Sequence, residues 1–225
     1  SLGLILVETA GAELFTGNNL NIVGYLSKGI TTRDLLRIWI IVYVGNFIGG
    51  LLMVFWMYMA HQWEFFHFMT GAKALLIAHK KTTLSFNAAL ARGVLCNALV
   101  CLNVWLCYSG RSMADKVLSV LFPIGGFVAS GFEHCVANMY FIPMGIVLRR
   151  NPSVVAAAEE MAGKTLDLSQ LTWEGFFINN LFPVTLGNFV GGVVLVGVVF
   201  WIIYLRPHAG YLSLGVKPDF PGDKT

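Results

Sequence analysis

Four stretches of this sequence, residues 35–60, 84–108, 117–148 and 176–205, are each long and apolar enough to cross a bilayer, and residues 2–26 make a fifth. A spanning helix needs about 20 predominantly apolar residues. Hydrocarbon offers no partner to a backbone amide or carbonyl, so such runs have to satisfy themselves as helices. Charged side chains make up 12% of the chain and hydrophobic ones 56%, about half the charged share of a soluble domain. The excess apolar surface has to face lipid. The net charge of +3 comes with no basic run interleaved with aromatics, which gives a nucleic-acid partner no footing.

Residues 1–206 are expected to form one transmembrane domain. Residues 207–225, with Pro218 and Pro221, read as a polar tail without fixed structure. Ser1 is followed at once by an apolar run, with no basic leader or cleavage site, so the opening does not read as a signal peptide. At least one preceding helix is expected to be missing. Cys96, Cys101, Cys107 and Cys135 lie in or beside apolar segments at spacings that match no zinc pattern, so they read as buried small residues. No metal or cofactor is expected.

Polar connectors are predicted over 27–34, 61–83, 109–116 and 149–174, the last with a short surface helix near Asn151-Pro152 and Glu159-Glu160. Alternate connectors fall on opposite sides. Lys28, Arg33, Arg37, Arg111, Lys116 and Arg206 share the side with the short loops, which is assigned to the cytoplasm. Lys73, Lys80, Lys81, Arg149, Arg150 and Lys164 share the other. A basic outer face draws anions toward a pore mouth, and ordinary solvated loop charge accounts for most of these residues equally well.

Two pairs of segments nearly copy each other. Residues 42–50 and 184–192 agree at six of nine positions, including Gly-Asn-Phe and a Gly-x-x-x-Gly that lets membrane helices approach closely. Residues 11–18 and 131–138 share Gly-x-Glu-x-x-x-x-Asn. The pairs recur in the same order, in helices three apart, so the halves are inverted in the membrane. Inverted repeats with interrupted helices mark channels and transporters that bind near the midplane. Glu13, Thr16, Asn18 and Asn19 fall inside one apolar run, and Glu133, His134 and Asn138 inside another. Ionisable groups at that depth face a bundle interior or a wet cavity. Glu13 and Glu133, with Asn138, read best as hydrogen-bonding support for the broken helices, since a carboxylate lining an anion path repels its cargo. A buried His134 at a break is suited to donate to an anion.

Residues 131–145, Gly-Phe-Glu-His-Cys-Val-Ala-Asn-Met-Tyr-Phe-Ile-Pro-Met-Gly, resemble the formate–nitrite transporter family, nearest its formate-channel branch. Leu14-Phe15-Thr16-Gly17-Asn18 and Tyr108-Ser109-Gly110-Arg111-Ser112 add to the likeness. The resemblance implies an all-α integral membrane protein with an aquaporin-like inverted-repeat helix bundle and two interrupted helices. Five of six family helices would be present. It further implies a homopentamer in the cell's inner membrane, each protomer with its own pore for formate or a similar small anion. By the same resemblance one helix breaks at Leu14-Phe15-Thr16 and another at Glu133-His134, and Thr16 and His134 face each other across a chamber. Leu4, Leu14 and Phe15 match the cytoplasmic-side constriction, and Val100 and Phe127 the outer one. Lys81 matches a lysine near the chamber, and Asn97 a polar residue lining it.

Apolar rings strip water, which costs an ion far more than its neutral acid. Lys81, Thr16, His134 and Asn97 are suited to hold an anion between such rings, with His134 as a proton donor at close range. Nitrite and hydrosulfide remain alternative cargoes, because Glu8-Thr9 and Leu14 to Asn19 depart from the formate branch. An aquaporin-type neutral-solute channel is a further alternative, although no Asn-Pro-Ala occurs at either break. An intramembrane enzyme using Cys135 with His134 is disfavoured. Neighbours on a helix point about 100° apart, and no third residue orients the pair.

Overall fold

The computed structural model describes residues 2–206, and every regular element among them is helical. The tail expected over 207–225 lies outside the described residues. In chain order the helices are α1 (Leu2–Ala10), α2 (Phe15–Asn18), α3 (Asn21–Leu26), α4 (Thr32–Met59), α5 (Met69–Thr82), α6 (Phe86–Ser109), α7 (Met113–Ala129), α8 (Cys135–Leu148), α9 (Pro152–Ala162) and α10 (Gly175–Leu205). The helices α4, α6 and α10 are each long and apolar enough to span a membrane. The other two spans are the interrupted runs, α1 with α2–α3 and α7 with α8, so the broken inverted-repeat bundle is present.

Helix starts coincide with polar caps. Thr31 and Asp34 form a reciprocal capping box on α4, and Ser112 and Asp115 form another on α7. The Asp115 carboxylate also accepts the Arg111 N–H at 3.0 Å, which gives the Gly110-Arg111-Ser112 motif a structural task. The surface helix expected in the last connector is α9. Asn151 accepts the N–H groups of Ser153 and Val154, Pro152 occupies the first turn, and Gly163 ends the helix in a left-handed conformation.

One connector is not a loop. Residues 61–83 hold a tight reversal, with His61, Phe66, His67 and Phe68 at positive φ, followed by α5. Composition hid this helix, because His79, Lys80 and Lys81 crowd its end and make the segment read as polar. Gly71, Ala72, Leu75, Ala78 and Thr82 are buried at helical spacing. That stripe lies against α8 and α9: Gly71 meets Val154 of α9, and Gly145 of α8 meets Ala78 so closely that no side chain fits between them. The basic cluster sits at the helix C-terminus, where unpaired carbonyls favour cations.

The two Gly-x-x-x-Gly copies do different work. In α10 a Cβ at Gly187 would run into the Leu90 carbonyl of α6, and one at Gly191 into that of Val94. In α4 a Cβ at Gly45 or Gly49 meets nothing within 4 Å, and only Gly50 approaches a neighbour, Met139 of α8 at 3.0 Å. Close helix approach within the chain thus belongs to the second copy. Helix α4 buries only Leu35 and Val54, and it presents Ile40, Val44, Ile48 and Trp56 outward.

Candidate functional site

Both interruptions contain a left-handed glycine near their start, Gly11 at φ +74° and Gly131 at φ +67°. An L side chain is strained in that region, so the glycine of the repeated motif is what permits each break. The first break runs over residues 11–14, a turn earlier than expected, and Thr16 lies inside α2 rather than in the loop. The second runs over 130–134, as expected.

The repeated asparagines close the breaks in the same way. Asn46 of α4 donates to the Glu13 carbonyl at 3.0 Å and accepts the Phe15 N–H at 3.0 Å. Asn188 of α10 donates to the Glu133 carbonyl at 3.0 Å and accepts the Cys135 N–H at 2.9 Å. Each side chain bridges the end of its break, binding a carbonyl within the break and the first amide of the helix that follows. Within each Gly-x-Glu-x-x-x-x-Asn motif the asparagine donates to the glutamate, Asn18 to Glu13 at 2.5 Å and Asn138 to Glu133 at 2.7 Å. The inverted repeat is therefore a repeat of hydrogen bonds as well as of residues. The two asparagine clamps went unread in the sequence, though their signal was present: the duplicated Gly-Asn-Phe was credited to its glycines alone.

The clamped breaks bring two side chains together. Thr16 is fully buried and His134 is 8% exposed, and Thr16 Oγ1 lies 2.9 Å from His134 Nε2. His134 caps α8, its Nδ1 accepting the Ala137 N–H at 3.1 Å. A ring nitrogen that accepts carries no proton, so the neutral imidazole holds its hydrogen on Nε2 and donates it to Thr16. The capping bond fixes both tautomer and aim.

Around this junction the structure groups the expected residues unevenly. Leu4 is buried with Cys107, Val120 and Ile124, and Leu14 and Phe127 pack against that cluster. Phe127 also stacks on His134, with ring centres 6.0 Å apart. Leu4, Leu14 and Phe127 thus share one apolar layer, although the resemblance divided them between two constrictions. Phe15 turns elsewhere, edge-on to Tyr43 at 4.8 Å and part of the core between α4 and α8. Its backbone bond to Asn46 explains this, since it holds the first turn of α2 toward α4. Val100 is buried on α6 outside the Leu4 cluster. Asn97 does not line the cavity above His134. Its amide donates to the Asn188 carbonyl at 2.7 Å and abuts Gly192, which makes it a contact between α6 and α10.

On the other side of Phe127 lies a cavity of about 260 Å³ with His134 in its wall. Ile77, Phe127, Phe132 and Phe141 give it apolar walls, and Lys80, Lys81, Arg92 and Glu133 supply charge. Lys81 was expected to act as a free cation. Its Nζ instead pairs with Glu133 Oε1 at 2.9 Å, both side chains being mostly buried. A buried carboxylate needs such a partner, and the other Glu133 oxygen accepts from Asn138 and from Asn180 at 3.2 Å. Glu133 and Asn138 accordingly support the break. Glu13 does so at an exposed site, with no cation beside it among the described residues. Arg92 escaped the sequence reading, although a charge inside the apolar run 84–108 is the kind of signal that drew attention to Glu13.

A helical bundle with two opposed breaks, converging on a polar junction beneath a charged vestibule, defines a membrane channel or transporter. The chain belongs to the formate/nitrite transporter family, whose model matches residues 1–202. It is 44% identical over 213 residues to the formate channel FocA of Escherichia coli K12, covering 92% of this chain and 73% of that protein. The formate channel FocA of Haemophilus influenzae is 41% identical over 198 residues, covering 88% and 69%. Among solved structures, a pentameric formate channel with formate bound superposes with a TM-score of 0.75 at 38% identity, covering 91% of this chain and 80% of that one. These relatives are channels rather than enzymes, which agrees with the transport reading.

Proposed function

We propose that residues 1–206 form a single channel domain that passes formate, or a closely similar small monovalent anion, through a pore within each protomer of a homopentamer in the cell's inner membrane. The observation that carries this reading is the Thr16–His134 junction, where a hydroxyl and an imidazole N–H from opposed helix breaks meet beside the vestibule. Both groups can donate to an anion in place of their mutual bond, and Leu4, Leu14 and Phe127 supply the dry layer that discriminates against larger hydrated ions. The similarity to FocA channels and to the formate-bound pentamer supports the cargo and the assembly.

The finer part of the reading is proton transfer from His134 to the anion in the dry layer. For the ring to accept a proton on Nδ1, it has to release the Ala137 N–H. Proton exchange is thereby tied to loosening of the first turn of α8. Asparagine is a strong N-cap, so His134→Asn keeps the cap and removes the titrating ring. The test uses full-length protein in liposomes carrying an internal pH dye. Wild type should pass formate faster than nitrite or hydrosulfide and carry protons with it. The His134→Asn variant should lose the proton component and keep some formate leak. Wild-type vesicles impermeable to formate would overturn the function, and unchanged proton movement in His134→Asn would overturn the coupling.

A further inference from the structure

Three cations and one carboxylate line the vestibule, and the one carboxylate is taken. Glu133 holds Lys81 at 2.9 Å, which leaves Lys80 and Arg92 uncompensated. Lys80 is exposed at the end of α5, free to rotate in solvent. Arg92 is only partly exposed, and its backbone carbonyl accepts the Glu133 N–H at 3.3 Å, directly beside the break. Its side chain makes no hydrogen bond or ion pair among the described residues. A guanidinium is a planar fork of donors suited to two oxygens at once, whereas an ammonium is a point charge.

We infer that Arg92 is the anion-receiving group of this vestibule and that its guanidinium prefers planar two-oxygen anions, carboxylates and nitrite, over spherical ones. The inference rests on the anion-channel reading above and adds to it the residue that first binds the cargo. The apolar walls strengthen the contact by lowering the local dielectric. The ion pair at Lys81 has a separate consequence: that lysine positions Glu133 and the break, and Arg92 gathers the anion. The competing account is an arginine that merely extends its head group toward the membrane surface. It predicts that lysine replaces Arg92 without effect.

The test measures the formate concentration giving half-maximal flux in liposomes containing full-length wild type, Arg92→Lys or Arg92→Gln. Charge-assisted hydrogen bonds in a partly wet site correspond to about a tenfold change. Arg92→Gln should raise half-saturation about tenfold, and Arg92→Lys several-fold, with flux at saturating formate nearly unchanged in both. In wild type, formate should protect Arg92 from modification by phenylglyoxal at concentrations where chloride does not. This arm needs no variant to assemble. Half-saturation unchanged in Arg92→Gln would remove Arg92 from the path, and Arg92→Lys equal to wild type would reduce its role to charge or anchoring. Equal protection by chloride and formate would refute the preference for two oxygens. Wild-type vesicles that pass no formate would instead sink the channel reading on which this rests.

Discussion

Replacing Asn188 by leucine keeps the branching of the side chain and removes three hydrogen bonds. Its Nδ2 donates to Gly93 O at 2.8 Å and Glu133 O at 3.0 Å, and its Oδ1 accepts Cys135 N at 2.9 Å. Residue 93 lies within α6, so its carbonyl keeps a helical partner. The Glu133 carbonyl and the Cys135 amide sit at the break and have no other partner among the described residues. A buried orphan costs about 1–3 kcal/mol, so two of them cost about 2–6 kcal/mol. Interhelical hydrogen bonds measured in bilayers average ~0.6 kcal/mol, and three of those set a floor of roughly 2 kcal/mol. Reversible unfolding in mixed detergent micelles, followed by tryptophan fluorescence, reads the difference. The equivalent Asn46→Leu should cost less, because the Asn46 site is only part-buried in this chain and its amide donates to an exposed Glu13. An Asn188→Leu variant within about 0.5 kcal/mol of wild type, inside ordinary surface-substitution scatter, would refute the idea that this side chain closes the break.

Gly191→Ala should impair folding severely, because its Cβ would strike the Val94 carbonyl, whereas Gly45→Ala should leave the protomer fold intact. Expression and monodispersity by size-exclusion chromatography compare the two. Lys81→Met should destabilise by about 3–5 kcal/mol by stranding a buried carboxylate, and Lys81→Met with Glu133→Gln should recover part of that loss in the same unfolding assay. Asn103 is fully buried with neither amide atom bonded. Asn103→Leu should therefore raise stability by about 1 kcal/mol or more, and a loss in the unfolding assay would show that the amide has a partner in the assembled protein.

The bundle was legible because lipid leaves a sequence few options, and long apolar runs state their helices outright. The breaks were legible because Gly11 and Gly131 stand where no other residue is comfortable. Helix α5 was missed because its basic end outweighs an apolar stripe of small residues, and average polarity does not see which face is buried. Thr16 and His134 were expected to face each other across a chamber and instead touch directly, and nothing in their spacing of 118 positions foretells that contact. Phe15 parts from Leu4 and Leu14 for a local reason. Side-chain direction depends on where α2 starts, and the Asn46 clamp sets that start, with Phe15 facing Tyr43 and Thr16 facing His134. Lys81 read as a free cation because its carboxylate partner lies 52 residues away.

The central claim is that the cargo passes between Thr16 and His134. A cysteine at position 16 places a thiol at that point; Thr16 is as buried as the native Cys96, Cys101, Cys107 and Cys135, so wild type is the control for reagent reaching those thiols. Radiolabelled formate uptake into proteoliposomes is measured for wild type and Thr16→Cys, before and after a small charged thiol reagent, with modification confirmed by mass spectrometry. The account predicts that modified Thr16→Cys stops passing formate, that wild type is unaffected by the reagent, and that formate slows the modification. Formate uptake continuing at its original rate through fully modified Thr16→Cys would contradict it.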